Sequence, residues 1–223
     1  MFDWAIESVG GIPYMIFDLE NLVEKVQPKN KEELIEIIKE TIEKEGLNCD
    51  LNFIDTSNIT DMSYLFAFSQ FNGDISNWNV SNVEDMSGMF YCSKFNGDIS
   101  EWNVSKVKDM SFMFCKSKFN GDISNWNVSN VENMECMFAH SKFNRDISNW
   151  DVSNVKDMYD MFSYSQFNQD ISKWNVSNVE NMQTMFFKSK FNGDISKWNV
   201  SKVKDMIRMF CDCPLEKNPP EWY

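Results

Sequence analysis

One histidine, five prolines and eight glycines in 223 residues leave little of what most catalytic sites and phosphate loops are made from. His140 has no second histidine to share a metal or a proton with, and no glycine-rich phosphate cradle is present. No isolated pair of carboxylates stands out either, so an enzyme has little to stand on. Basic residues are also scarce. Twenty-one Lys and Arg face 34 Asp and Glu, a net charge of −13. Nucleic acid and anionic membrane surfaces both need a basic face, so neither is the expected partner. No apolar run approaches the ~20 residues that span a bilayer. The start, "MFDWAIESVGGIPYMIFDLENL", has Asp3 and Glu7 where a signal peptide is basic, which points to the cytoplasm. Six cysteines (Cys49, Cys92, Cys115, Cys136, Cys211 and Cys213) fall at unrelated places in the pattern described next. A disulfide-stapled repeat would hold them at one phase, so free thiols in a reducing compartment are expected.

What the chain has in quantity is one phrase. "FNGDISNWNV" at 71–80 returns as "FNGDISEWNV", "FNGDISNWNV", "FNRDISNWDV", "FNQDISKWNV" and "FNGDISKWNV". Trp78, Trp102, Trp126, Trp150, Trp174, Trp198 and Trp222 are each 24 residues apart. A fixed period of this length marks a solenoid, in which no unit buries its apolar face alone and each uses its neighbour. Seven copies fit, at 55–78, 79–102, 103–126, 127–150, 151–174, 175–198 and 199–222.

Within a copy, Trp78 and Val80 alternate with Asn77, Asn79 and Ser81, the two-residue period of a half-buried strand. Val83, Met86, Met89 and Phe90 follow at three- and four-residue steps, as on one face of a short helix, with Ser81 or Asn82 placed to cap it. The expected fold class is therefore an α/β repeat solenoid. Each 24-residue repeat would supply one short parallel strand and one short helix to a right-handed coil. Helices are wider than strands, so the stack should curve with its sheet concave. Thirteen of the fifteen methionines fall in two columns on the apolar face, as core filler. Residues 1–54 form an N-terminal segment whose capping helix runs over about 30–46, from Asn30 through Glu33 to Gly46. Its stripe of Leu34, Ile35, Ile38 and Ile42 suits the first coil. The solenoid occupies 55–213, and 214–223, with Pro214, Pro219 and Pro220, closes the far end.

The phrases "W-N-V-S-N-V-x-x-M-x-x-M-F" and "F-N-x-D-I-S" resemble the BspA-like leucine-rich-repeat family over about 55–222. Ile75, Trp78, Val80 and Val83 stand in the places of its leucines. The resemblance implies a leucine-rich-repeat coil and a bacterial surface protein that binds other proteins, with the cell surface as the alternative location.

Four columns invite a functional reading. Asp74, Asp98, Asp122, Asp146, Asp170 and Asp194 would stack at ~4.8 Å and repel by ~1 kcal/mol per pair even in water-like dielectric. Either backbone N–H groups of the turn, with Asn72-type residues bridging coils, offset that repulsion, or calcium ions lie between the coils. Glu84, Lys108, Glu132, Lys156, Glu180 and Lys204 alternate in sign, which sets each charge beside its opposite. On the strand, Asn77, Glu101, Asn125, Asn149, Lys173 and Lys197 vary just before the tryptophan. Asn79, Asn103, Asn127, Asp151, Asn175 and Asn199 follow it as a polar ladder. On the helix, Phe112, Tyr159 and Tyr164 are variable aromatics, the residue types that anchor interfaces. The expected function is a protein-binding module without catalysis or cofactor, reading a partner by its concave strand face and these variable residues. A structural or self-associating solenoid is the alternative.

Overall fold

The computed structural model describes residues 6–9, 12–15 and 25–223, and the reading of the chain start as lacking a basic leader lies outside what is described. Ile6–Val9 (β1) and Ile12–Met15 (β2) pair antiparallel, with Ile6 opposite Met15. One α-helix, α1, spans Lys31–Glu45. The Asn30 side chain accepts from the Glu33 N–H, and Gly46 ends the helix at φ 91°. Leu34 and Ile38 are buried against the first coil, whereas Ile35, expected in the same stripe, is 43% exposed.

The repeats do stack, but the expected strand and helix in each are both absent. Between α1 and a short 3-10 turn at Pro214–Glu216, the described residues hold no helix and only isolated parallel bridges. The hydrogen bonds show why. Over the stretch read as a helix, Met89, Tyr91 and Ser93 donate back to the Met86, Gly88 and Phe90 carbonyls, closing overlapping turns. The alternate N–H groups, of Met86, Gly88, Phe90 and Cys92, reach the Asp109, Ser111, Met113 and Cys115 carbonyls of the next coil at 2.7–3.0 Å. A helix would keep all of these donors for itself. It would also be ~10 Å wide, twice the ~4.8 Å that hydrogen-bonded neighbours allow. Turns that advance in small steps bury Val83, Met86, Met89 and Phe90 as well as a helix does, so their spacing could not separate the two. The curvature argument goes with the helices.

The expected strand fails for a related reason. Burial does alternate through Asn77, Trp78, Asn79 and Val80. Yet the Trp78 N–H turns back to the Ile75 carbonyl and the Val83 N–H to the Val80 carbonyl, so neither joins a ladder. Side chains link the coils here instead. The Trp102 indole N–H donates to the Ile75 carbonyl one coil earlier, 3.2 Å away. Asn82, read as a helix cap, donates its amide to the Ser57 carbonyl at 2.9 Å. There is thus no concave strand face. Apart from a bridge between Asp50 and Asp74 at the start, one residue per coil makes a bridge, giving the row Asp61, Asp85, Asp109, Asn133, Asp157, Asn181 and Asp205.

Three aromatic rows run through the core. Rings from Phe66 to Phe210 stack between coils at 5.7–6.0 Å. Those from Phe71 to Phe191 stack at 6.2–6.4 Å. The tryptophans lean on the first row, as Trp126 does on Phe114 at 6.3 Å. Each fully buried Phe contributes about 1.5–3 kcal/mol. Both methionine columns are buried save Met206, in the last coil. That coil is closed by Trp222, stacked on Trp198 at 6.4 Å, and by Tyr223, edge-on to Phe210 at 4.8 Å.

Candidate functional site

Four short side-chain turns per coil place its polar residues. Ser93 accepts from the Phe95 N–H, Asp98 from Ser100, Asn103 from Ser105 and Asp109 from Ser111, each acceptor reaching two residues ahead. Ser, Asn and Asp offer the backbone this alternative to helix, and the repeat uses it at every corner.

The turns also determine the state of the Asp ladder. Asp74, Asp98, Asp122, Asp146, Asp170 and Asp194 accept from the Ser76, Ser100, Ser124, Ser148, Ser172 and Ser196 N–H groups at 2.9–3.0 Å. At Asp146 the Ser148 N–H holds the carboxyl below the ordinary carboxylate range, although Asp170 and Asp122 push it up. The hydrogen bonds outweigh the neighbouring charges. Asn72 bridges coils by accepting from the Asn96 N–H at 2.7 Å, and the same bond recurs up to Asn192. Among the described residues, no group of three or more His, Cys, Asp or Glu is placed to hold a metal ion.

The alternating charges pair, but only at every second junction. Lys108 meets Glu84 at 2.7 Å, and Lys156 and Lys204 likewise meet Glu132 and Glu180. Lys156 and Glu180 are not paired.

The residues expected to bind fall into two groups. Asn77, Glu101, Asn125, Asn149, Lys173 and Lys197 are exposed beside the buried tryptophans. So are Asn79, Asn103, Asn127, Asp151, Asn175 and Asn199, each with its side-chain oxygen on the N–H two residues ahead. Phe112, Tyr159 and Tyr164 belong instead to the run of overlapping turns, and no hydrogen bond or ring contact among the described residues joins the two groups.

That turn face has its own packing. Cys115, Cys136 and Ala139 are buried beneath Tyr91, Phe112 and Tyr159. Burial pushes the Cys115 thiol up to about 12, which leaves it inert. Further out, Phe68 meets Tyr91 edge-on at 5.1 Å, and His140 stacks on Tyr164 at 4.4 Å. The Lys188 ammonium lies 5.3 Å from the Tyr164 ring centre and 5.1 Å from that of Phe187. Phe68 is 69% exposed, Tyr64 53% and Tyr164 41%. Two positions per coil on this face are left-handed. Of the fourteen, only Gly88 is glycine, and Tyr64, Phe68, Phe112, Lys116, Cys136, His140, Tyr164 and Thr184 are among the rest, at φ 53–57°. Sequence reading missed this geometry because glycine, its usual signal, occurs once.

The molecule is thus a tandem-repeat stack of hydrogen-bonded turns, nearly uniform inside and variable at exposed positions, above all on the turn face. The family comparison agrees on the repeats. The chain belongs to the DUF285 family, described as a Mycoplasma protein of unknown function, which it matches over residues 36–142 and again over 115–222. No curated protein and no solved structure matches it.

Proposed function

We propose that the chain is a non-catalytic, protein-binding repeat scaffold whose recognition surface is the turn face. One observation carries this reading. Over the five coils of 79–198 the core columns of Phe, Trp, Met, Val and Ile stay the same. The turn-face positions change freely, and they include the most exposed large aromatic residues of the repeats, Phe68 and Tyr64. Repeat proteins carry recognition in this way, and exposed aromatic residues supply the anchors. Kinship with the BspA-like repeat proteins, resting on the shared motifs, would make the partner a protein of a host or neighbouring cell.

The test is capture by the immobilised full chain. A partner held by the wild type should be lost from a Phe68→Ser, Tyr164→Ser variant and retained by a Lys173→Ser, Lys197→Ser variant. Retention by the first and loss from the second would overturn the assignment to the turn face.

A further inference from the structure

From Ser93 to Ile99 burial alternates. Lys94, Asn96 and Asp98 face solvent, while Ser93, Phe95 and Ile99 are buried. Later coils repeat this with Lys118, Asn120 and Asp122, with Lys142, Asn144 and Asp146, and with Lys190, Asn192 and Asp194. Gln70 and Gln166 replace the lysine in the other two. One side of the stack therefore carries three parallel ladders: cationic, amide and carboxylate. Two extended residues separate neighbouring ladders by ~6.6 Å, and rungs within each are ~4.8 Å apart.

Neither charged ladder has a salt-bridge partner among the described residues, although Arg145 lowers Asp122, Lys173 lowers Asp170 and Lys197 lowers Asp194 by charge at longer range. None of the lysines in this column forms an ion pair with a described residue, and neither does any of the six aspartates. Each ladder sets like charges one rung apart. The amide ladder lies midway, so a two-fold axis along the stack, placed over it, lays the lysine ladder of one chain on the carboxylate ladder of another. The rungs match because both ladders have the pitch of the coil. An axis across the stack would set lysine on lysine.

We propose that this side of the stack is an interface between two copies of the chain, lying parallel and in register, with Lys94 of one copy against Asp98 of the partner subunit. Lys118, Lys142 and Lys190 meet the carboxylates of their own rungs in the same way, and the asparagine ladders meet at the centre. The contact is ~30 Å long and ~15 Å wide, which puts it in the weak, transient class. A linear polyanion fits less well, because it would lie within ~13 Å of six carboxylates. The inference is independent of the turn-face reading, which concerns another side of the coil.

Sedimentation velocity of the full chain, from about 10 µM to about 1 mM, tests it in the concentration range of weak contacts. The mass should rise from 26.2 kDa toward twice that value and fall back in high salt. Association should weaken about tenfold or more in Lys94→Gln, Lys118→Gln, Lys142→Gln, a set that copies the natural Gln70 and Gln166 and so spares the fold. It should weaken equally in Asp98→Asn, Asp122→Asn, Asp146→Asn, which keeps an oxygen for the serine N–H. This second variant lowers the net charge from −13 to −10, so mere relief of repulsion predicts stronger association. A monomer throughout, or unimpaired association of the Asn variant, overturns the proposal. So does a monomer that binds a polyphosphate matrix through the lysines, which assigns the ladder to a polyanion.

Discussion

The Asn133 side-chain amide donates to the Asp109 carboxylate one coil earlier, at 3.2 Å, and Asn181 does the same to Asp157 at 3.1 Å. These bonds fall at the junctions that the Lys108–Glu84, Lys156–Glu132 and Lys204–Glu180 pairs leave empty. Successive junctions are therefore fastened by a lysine, an asparagine, a lysine, an asparagine and a lysine. Asn133→Asp should remove the donor and oppose two carboxylates, costing about 1 kcal/mol at neutral pH. Asp61, Asp85 and Asp109 show that the column tolerates adjacent carboxylates, which bounds the cost. Urea unfolding at pH 7 checks it, and an unchanged midpoint counts against the bond.

Trp126 is buried, and its indole N–H reaches the Ile99 carbonyl at 3.1 Å. Trp126→Ala removes a core ring and strands that carbonyl, so a loss of about 3–5 kcal/mol is expected. The denaturation curve should also broaden or split, since coils on either side keep their own neighbours. A loss of a few tenths would mean that the row is not a core.

Thr184 and Lys116 are left-handed at φ 54° and 56°. Glycine at either position relieves strain, offset by its greater freedom in the unfolded chain, for a net gain of about 0.5–1 kcal/mol at Lys116. The gain should be larger at Thr184, where the side chain is β-branched. Thermal melts of the two variants check both the sign and the order.

Glu135 is pushed above the ordinary glutamate range by burial, then by Asp157, Asp109 and Asp160. A raised acid favours the folded state when protonated, so ionisation above the ordinary range destabilises. Glu135→Gln should therefore stabilise at pH 7, by up to about 0.5 kcal/mol after solvent screening. The advantage should shrink as the pH falls from the raised value toward about 4.3, and be gone below it.

The Asp ladder has the opposite sign. Serine N–H groups hold Asp74, Asp122, Asp146 and Asp194 low, so their stabilisation is present above the ordinary range and is lost as the pH falls through and below about 3.9. Wild-type stability should decline steadily below pH 4. A flat profile there would show that these bonds contribute little.

The inward set of Phe, Trp, Met and Val was readable, because alternation and three-residue steps report which side chains face the core. Asn30 and Gly46 likewise marked the helix ends. What the backbone does between buried residues was not readable. Val83, Met86, Met89 and Phe90 fit a helix and a string of turns equally well, and the choice rests on whether the Met86 and Gly88 N–H groups bond within their own coil or to the next. Asn133 and Asn181 held a further clue. Each follows a glutamate in "VENM", whereas Asp109 and Asp157 follow a lysine in "VKDM".

Because lysine and asparagine fastenings alternate, the length of this molecule is quantised. Removing 24 residues would bring two glutamates, or two lysines, into the place of a pair. Removing 48 would rejoin complementary edges without altering a single side chain. Genes for such stacks should therefore grow and shrink by doublets, and relatives that differ in size should differ by an even number of coils.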